Sequence, residues 1–435
     1  MTKPKVLFVN LGCPKNLVDS EILMGHLRSG GAEIVDSAED ASDIVVNTCG
    51  FIEDAKRESI ETILEAVQLK EMDHKRVFVT GCLSQRYMRS LQEEIPEVDA
   101  FFGARNISGT ARELAQKMGL DFQKSSCESR LVSTAVYAYL KIAEGCDNTC
   151  SFCAIPFIRG PHVSRPKAEI LDEAKRLVDG GVQELIVISQ DTTYYGKDLQ
   201  EGSSLTGLLS DLSEIPGLRW IRLLYAYPDR VSDPLIRLMA DRPNICPYID
   251  VPIQHISGRV LERMRRGFRR GEIERLIEKL RTKIPDIAIR TSVMVGFPGE
   301  TDADFQELLD FVEATKFEHL GIFRFSREED TLSFDLPDQV PEPVKKERFE
   351  YLQSVQQDIA YRKNQSFVGK TMDVLVEQFD PEQNVYLGRT QWDAPEIDSQ
   401  VVLKGDFNIG EFFPVVIASA SEAELVVQSD EAGEK

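Results

Sequence analysis

Three times in the first 105 residues, a short apolar run rich in valine and isoleucine ends in a cysteine. The cysteines at these positions are Cys13, Cys49 and Cys82. Amphipathic stretches, such as residues 16–28 and 52–69, separate the runs. Buried runs that alternate with helices predict an open, parallel α/β sheet. In such a sheet every one of these cysteines follows the carboxyl end of a strand.

The position of the three cysteines predicts a metal cluster. Ligands of open α/β sheets bind beyond the carboxyl ends of the strands, and neighbouring parallel strands lie about 5 Å apart. Three thiolates on a four-iron cluster leave the fourth iron open, as a reactive site requires. The alternatives are three buried core cysteines and a zinc site, and zinc would want a fourth ligand that the nearby sequence does not offer.

A second set of cysteines, Cys146, Cys150 and Cys153, has CxxxCxxC spacing within one loop. These three thiolates can also hold a cubane cluster and leave one iron open. The spacing, with an aromatic residue at Phe152, resembles the radical S-adenosylmethionine (SAM) superfamily. That resemblance implies that SAM binds the open iron and is cleaved to a radical. A zinc knuckle is the alternative, with His162 as the nearest further ligand.

The pattern downstream predicts a parallel barrel. Six candidate strands span residues 137–143, 184–190, 220–227, 248–253, 288–295 and 320–325. Helical stretches lie between them at residues 167–178, 205–212, 234–239, 259–283 and 302–314. Alternating units of this kind place their chemistry at the carboxyl ends of the strands. Six units match the partial barrel of radical SAM enzymes.

Residues at the ends of these strands are candidates for holding SAM. They are Phe152, Gln190, Gln254, Gly296 and Glu300. The glycines of residues 296–300 would permit close approach of the backbone to a ligand. The alternative is that these are ordinary loop residues and a helix cap.

The last part of the chain predicts a helix at residues 344–364 and then short strands at 372–377, 385–389, 400–404 and 413–418. These strands indicate a small antiparallel β-barrel that resembles a TRAM domain. Residues 365–431 hold thirteen Asp or Glu and three Lys or Arg, in a chain of net charge −21. Such a barrel should repel RNA and attract a basic protein. Residues 429–435 are predicted to be disordered.

The length of 435 residues exceeds what one hydrophobic core supports. We expect domains at residues 1–125, 132–364 and 365–431. No apolar run is long enough for a membrane helix, and the first thirteen residues are too short for a signal peptide. A cytoplasmic protein with reduced or metal-bound cysteines is therefore expected. Cys127 and Cys246 fit neither cysteine pattern and are interpreted as ordinary thiols.

The order of these three parts resembles the methylthiotransferase family of radical SAM enzymes over essentially the whole chain. The resemblance implies two 4Fe-4S clusters: an auxiliary cluster on Cys13, Cys49 and Cys82, and a radical SAM cluster on the CxxxCxxC cysteines. It implies that one SAM methylates a sulfur at the auxiliary cluster. A second SAM yields the radical that abstracts hydrogen from the carbon to be modified.

Two branches of the family differ in substrate: one modifies an adenosine of transfer RNA, the other an aspartate of the basic ribosomal protein S-twelve of the small subunit. Residues 13–21 and the loop at 189–196 resemble the second branch, and the acidic barrel suits its substrate. Residues 325–331 lack the Arg-Pro-Gly-Thr run that is common in the RNA branch. A transfer-RNA methylthiotransferase remains the alternative. We expect a monomer without membrane association, a flavodoxin-like or other electron donor, and no direct action on nucleic acid.

Overall fold

The structure is a computed structural model that describes residues 3–121, 130–199 and 202–427. Cys127 and the tail at 429–435, which the sequence predicts to be an ordinary thiol and a disordered segment, lie outside these residues. The described chain forms two parallel sheets followed by a small closed barrel. Within those ranges, none of the helices combines the length and apolar character that crossing a bilayer requires.

The N-terminal sheet has five parallel strands in the order β2-β1-β3-β4-β5. Its strands are β1 (Lys5–Asn10), β2 (Glu33–Val35), β3 (Asp43–Thr48), β4 (Arg76–Gly81) and β5 (Ala100–Phe101). Its helices are α1 (Pro14–Ser29), α2 (Glu53–Asp73), α3 (Cys82–Glu94) and α4 (Ile107–Lys117). The sequence does not predict the edge strands β2 and β5, because three and two residues are too few to show a pattern.

The central part is a six-stranded, all-parallel sheet in the order β13-β12-β11-β10-β9-β6, which confirms the partial barrel. A separate short ladder is formed by β7 and β8. The strands are β6 (Tyr137–Lys141), β7 (Ala143–Glu144), β8 (Val163–Ser164), β9 (Glu184–Ile188), β10 (Trp220–Leu223), β11 (Ile245–Asp250), β12 (Ala288–Val295) and β13 (His319–Arg324).

Most helices of the central part pack against one face of the sheet. The helices are α5 (Ile155–Arg159), α6 (Lys167–Asp179), α7 (Leu205–Ser213), α8 (Asp233–Asp241), α9 (Gly258–Arg263), α10 (Arg270–Lys283), α11 (Asp302–Thr315) and α12 (Glu342–Gln365). The single helix predicted over residues 259–283 is wrong, because the chain forms α9 and α10 instead. Arg265 has φ +55° and Gly267 follows it, so the backbone leaves the helical path between them.

The C-terminal part is a closed five-stranded barrel, as the fold prediction requires. Its strands are β14 (Thr371–Asp380), β15 (Val385–Arg389), β16 (Gln400–Leu403), β17 (Phe412–Ala420) and β18 (Glu424–Val427). All neighbours are antiparallel except β16 and β18, which pair in parallel. The sequence does not predict β18. This strand returns antiparallel to β17 and thereby closes the barrel against β16.

A shared apolar core joins the three parts on the inner face of the six-stranded sheet. It contains Val18 from α1, Tyr139 and Ile188 from the sheet, and Leu375 and Ala394 from the C-terminal part. Burial of such side chains supplies about 25 cal/mol for each Å² of apolar surface. The N-terminal helix and the small barrel therefore both pack into the opening of the partial barrel.

Buried ion pairs fix how the three parts meet. Arg130 bridges Glu21 of α1 and Glu173 of α6, with N–O distances of 2.5 and 2.6 Å. On the other side, Arg389 of the small barrel lies 2.6 Å from Glu184 of β9. Buried pairs of this kind contribute more to a defined arrangement than to net stability, since both charges lose their hydration.

Candidate active site

The first site lies where β1, β3 and β4 end side by side. Cys13 precedes α1, Cys49 follows β3, and Cys82 is the first residue of α3. The strands are in register at their ends, since Thr48 of β3 pairs with Gly81 of β4. The sheet thus brings together three thiols that are far apart in the sequence, at the edge where an open α/β sheet binds its ligand.

Glycines beside these cysteines allow the strand ends to approach. Gly12 has φ +91°, and a Cβ there would lie 3.1 Å from Cys49 Sγ. Gly81 has φ +101°, and its Cβ would lie 2.4 Å from the carbonyl oxygen of Thr48. Both backbone conformations favour glycine, and both added carbons would crowd neighbouring atoms. The space around the three thiols therefore depends on these two glycines.

Asn16 ties the ends of the strands together. Its side-chain Nδ2 donates to the carbonyl oxygens of Leu11 and Thr48, at 3.0 Å each. Its Oδ1 accepts a hydrogen bond of 3.5 Å from the thiol of Cys82. One buried amide thus contacts the ends of β1 and β3 and the cysteine that follows β4.

Arg159 connects the first site to the second. It is the last residue of α5, just after the CxxxCxxC loop, and its side chain is 2% exposed. Its Nε and Nη2 lie 3.4 and 3.3 Å from Cys82 Sγ. Its Nη1 lies 2.6 Å from Asp19 of α1 and 3.3 Å from Glu144 of β7. A single guanidinium therefore contacts both sequence segments that carry the cysteines.

Burial and Arg159 act in opposite directions on Cys82. Burial raises the pKa of the Cys82 thiol to about 12, while the guanidinium favours the thiolate and limits the rise. A thiolate at this depth needs positive charge nearby. Arg159 supplies part of that charge, and metal ions would supply more.

The second site lies in the loop between β7 and β8. The pairing of Ala143 with Ser164 closes this loop at its base. Cys146 N donates to Gly160 O at 3.1 Å, and Cys153 N donates to Cys150 O at 3.2 Å. Burial raises the pKa of the Cys146 thiol to about 11. The loop is therefore shaped by its own hydrogen bonds and by a short ladder.

A second arginine contacts the second site. Arg266 lies in the break between α9 and α10, and its Nη1 donates to Cys150 Sγ at 3.2 Å. Its Nη2 donates to Pro252 O at 2.6 Å, and its guanidinium lies 4.2 Å from the centre of the Tyr227 ring. The turn that replaced the predicted long helix thus places a cation beside a cysteine sulfur.

Each set offers three thiols, the ligand type that holds iron–sulfur clusters. Cys82 interacts electrostatically with Cys13 and Cys49, and Cys153 interacts with the other two cysteines of its loop. Among the described residues, no three His, Cys, Asp or Glu side chains are close enough to hold one ion. His162, the ligand of the zinc alternative, contacts Ser164 Oγ at 3.0 Å instead.

Gln190 is the predicted SAM contact with a free hydrogen-bonding atom. Its Nε2 donates to Glu144 Oε1 at 2.5 Å, and its Oε1 is buried without a hydrogen-bond partner. Burial alone would raise the pKa of Glu144, but Lys141 and Arg159 hold it at about 2. The orphaned oxygen of Gln190 is therefore an acceptor that a bound molecule could use.

Gly296 and Glu300 are occupied by contacts within the protein. Glu300 Oε2 accepts hydrogen bonds from the backbone N–H groups of Gly296 and Phe297, at 2.7 and 3.2 Å. Its Oε1 lies 2.8 Å from Arg348 of α12. A Cβ at Gly296 would lie 2.3 Å from Lys345 Cγ. The close approach that this glycine permits is thus to Lys345, and its contact with SAM stays a prediction.

Gln254 is positioned through its backbone, and Phe152 through apolar packing. Gln254 has φ +70°, and its backbone N–H donates to Ser292 O at 2.8 Å. The Phe152 ring packs beside Met264 and Phe297. Their predicted roles at the cofactor stay predictions.

Sequence reasoning missed Asn16, Arg159 and Arg266. Asn16 and Arg159 lie three residues after Cys13 and six after Cys153, so proximity to the cysteines was a usable signal. Arg266 has no such signal, because the turn that carries it is more than a hundred residues from Cys150. The local sequence does not show which cysteine sulfur an arginine side chain will contact.

Three family models match the chain. Residues 5–103 match the uncharacterized protein family UPF0004, residues 140–312 match the radical SAM superfamily, and residues 368–429 match the TRAM domain.

Curated relatives match over almost the whole length. "Ribosomal protein uS12 methylthiotransferase RimO" of Geotalea uraniireducens is 47% identical over 438 residues, covering 98% of each chain. Proteins of the same name match from Aquifex aeolicus, at 47% identity with 98% of each chain covered, and from Clostridioides difficile, at 46% with 97% and 98% covered.

Solved structures share the fold at low identity. The radical SAM methyltransferase TsrM from Kitasatospora setae has a TM-score of 0.55 at 16% identity, covering 74% of this chain and 73% of that one. The cobalamin-dependent radical SAM enzyme OxsB has a TM-score of 0.51 at 12% identity, covering 81% of this chain and 56% of that one. These similarities concern the architecture alone.

Proposed function

This chain belongs to the family of ribosomal protein uS12 methylthiotransferases named RimO, and from that premise we propose that it adds a methylthio group to an aspartate side chain of uS12. The relatives match at 44–47% identity over nearly the full length, so all three parts of the chain take part in the similarity. Both cysteine sets and the acidic C-terminal part are present in this one chain.

One contact carries the proposal best: Arg159 joins the two cysteine sites. Its guanidinium donates to Cys82 of the first site, and its backbone belongs to the segment that follows Cys153 of the second. Sulfur insertion needs both sites to act on one carbon, so they must face a common space. Two independent structural metal sites would not require one arginine in contact with both.

We assign one 4Fe-4S cluster to each set of cysteines: Cys13, Cys49 and Cys82 for the auxiliary cluster, and Cys146, Cys150 and Cys153 for the radical SAM cluster. When bound, the clusters and SAM supply the sulfur, the methyl group and the electron for the reaction.

The protein's own residues orient and shield this chemistry. Asn16 holds the ends of β1 and β3 at a fixed separation, through two hydrogen bonds of 3.0 Å. Arg159 and Arg266 place positive charge beside the sulfurs of Cys82 and Cys150, and at Cys82 this charge favours the thiolate form. Gln190 offers its unpartnered Oε1 to SAM. The shared apolar core beneath the sites limits the entry of water.

The surface of the small barrel supports a basic protein partner. Three of its acids are already engaged with basic residues: Glu377 with Arg389, Asp398 with Arg290, and Asp393 with His319. Others remain exposed, namely Asp373, Glu382, Glu396, Asp406, Glu411 and Glu422. The exposed bases in the same part are Lys370 and Lys404. The excess of exposed acids favours a cationic partner over a phosphate backbone.

Three further assignments belong to this proposal. The domains span residues 1–125, 132–364 and 365–431. The protein works as a monomer. A flavodoxin-like or similar small protein delivers the electron.

The test is a reconstitution with two substrates offered in parallel. Clusters are rebuilt anaerobically, reductant and SAM are added, and purified uS12 and transfer RNA are supplied in separate reactions. Mass spectrometry then measures the methylthio group on each. We expect the group on one aspartate of uS12 and none on the RNA. Modification of RNA alone would overturn the proposed substrate, and absence of both products would overturn the proposed reaction.

A further inference from the structure

Lys15 is a buried cation at the seam between the two cysteine sites. It lies in the first turn of α1, two residues after Cys13, and it is 9% exposed. Its Nζ lies 3.2 Å from the centre of the Tyr225 ring. Tyr225 follows β10, has φ +59° and packs against the shared apolar core. Lys15 therefore reaches from the N-terminal sheet to the barrel.

A short path of contacts leads from Lys15 to the second site. The carbonyl oxygen of Tyr225 accepts a hydrogen bond of 3.1 Å from the backbone N–H of Thr192. The neighbouring Asp191 accepts one of 2.9 Å from Asn148, which lies within the CxxxCxxC loop. The ammonium of Lys15 thus lies between Cys13 and the loop of the second site, where a substrate must be held to react with both.

Among the residues that the structure describes, Lys15 has no carboxylate counterion. Among the described residues, no carboxylate lies within ion-pair distance of Lys15 Nζ, and the group that faces it is the Tyr225 ring. Asp250, the nearby acid at the end of β11, accepts from Tyr225 N–H at 3.0 Å and acts on Lys15 only at longer range. The Tyr225 side chain and the Cys13 thiol also act on the ammonium, but neither is a carboxylate, and a carboxylate ligand would complete the pairing of this buried cation.

We propose that the Lys15 ammonium binds the side-chain carboxylate of the aspartate that is modified, and that this contact selects an acidic substrate. The inference rests on the proposed function. An aspartate side chain has one carbon that bears hydrogen, next to its carboxylate. Anchoring the carboxylate at Lys15 therefore holds that carbon between the two sites. A neutral base such as adenine would leave the ammonium unpaired, which disfavours it.

The experiment is a double-mutant cycle on binding. The full-length, cluster-loaded protein is titrated anaerobically with uS12, and with uS12 in which the modified aspartate is replaced by asparagine. The variants are Lys15→Gln, Lys15→Arg and the matched charge control Lys279→Gln, whose exposed Lys279 pairs with Asp233 on the outside of the barrel. Iron content and SAM affinity are measured for each.

We expect the asparagine substrate to bind the wild-type protein roughly tenfold more weakly, as for loss of a charged hydrogen bond. Lys15→Gln should bind both substrates equally and weakly. Lys15→Arg should keep the preference for the aspartate form, and Lys279→Gln should behave like the wild type. All should keep their iron.

Three results would overturn the inference. The first is equal binding of both substrates by the wild-type protein, which needs no variant to fold. The second is an unchanged preference in Lys15→Gln. The third is a loss of SAM affinity in Lys15→Gln with the substrate preference intact, which would assign the ammonium to the carboxylate of SAM. Failure of the wild-type protein to bind or modify uS12 at all would instead overturn the proposed function, and this inference with it.

Discussion

The two cysteine sites each offer three thiols, but the chain assembles them in different ways. The first site gathers cysteines spread over residues 13–82 and depends on three strands ending in register. The second site lies within residues 146–153, in a loop closed by a two-residue ladder. The first site is therefore a product of the whole N-terminal sheet, and the second is a product of one local segment.

The arginines beside the sites repeat this contrast. The cationic side chain beside Cys150 is Arg266, which belongs to the same barrel. Cys82 takes its cation from Arg159, which belongs to the other site's segment. The first site therefore depends on the docking of two parts of the chain, whereas the second can form within one. This difference predicts that changes at the first site will cost more stability and more iron.

The largest effect is expected from Arg159→Met. The change leaves two carboxylates, those of Asp19 and Glu144, to share the single cation Lys141. A buried charge that loses its compensating partner costs about 3–5 kcal/mol. We expect the free energy of unfolding to fall by that amount. We also expect iron to be lost from the first site, measured in a background where Cys146, Cys150 and Cys153 are alanine.

Arg242→Met is the matched control. Arg242 pairs with Glu214 at 2.6 Å, but both side chains are exposed, so we expect a change within about 0.5 kcal/mol. Full iron at the first site of Arg159→Met would show that this site does not need the second segment, and the comparison would fail.

A smaller effect is expected from Gly81→Ala. The residue has φ +101°, and the new Cβ would lie 2.4 Å from the Thr48 carbonyl oxygen. Backbone strain alone costs about 1–3 kcal/mol, and the clash would also separate the ends of β3 and β4. Iron at the first site should fall, while the second site keeps its iron.

The control variant Gly181→Ala separates the effect of backbone strain from the effect of the clash with Thr48. Gly181 has φ +102°, but no atom lies within 4 Å of the position of an added Cβ. Denaturant unfolding of both variants should give a larger loss for Gly81→Ala. Equal losses of stability in the two variants would mean that the close contact between the ends of β3 and β4 contributes nothing to the effect of Gly81→Ala.

The smallest effect on stability is expected at the second site, from Arg266→Gln. The loop forms through its own hydrogen bonds, so iron should be retained. The reduced cluster carries more negative charge, and loss of a cation 3.2 Å from Cys150 Sγ should make its reduction potential more negative.

A redox titration followed by electron paramagnetic resonance measures this potential. The control is Arg265→Gln, because Arg265 is exposed and carries the same charge on the adjacent residue. A potential that moves equally in both variants would point to general charge rather than to the contact with sulfur.

The sequence predicted much of the fold because its periodic patterns are local. The strand at 288–295 has the limits that the apolar run predicts, and every cysteine of the first site lies at a strand end. The prediction of one long helix at 259–283 failed because the apolar periodicity continued through a turn in which Arg265 has a left-handed backbone conformation. The edge strands β2 and β5 were missed because two or three residues cannot show alternation.

The charge of the C-terminal part shows a similar limit. The charge derived from composition treats every acidic residue as surface charge, but Glu377, Asp393 and Asp398 are paired with basic residues. The count therefore overestimates what a partner meets, although the excess of exposed acids remains.

The sequence by itself determined the family and the order of the three parts, and it predicted six cysteines as cluster ligands, because motifs and apolar patterns lie in neighbouring residues. Only the tertiary structure decided which cationic side chains contact these cysteines. Arg159 reaches Cys82 across 77 positions, and Lys15 meets Tyr225 on another sheet. Such contacts depend on how the packed parts of the chain dock against one another. Local sequence patterns do not position these backbones relative to each other, and a long side chain then extends several ångströms beyond its own backbone.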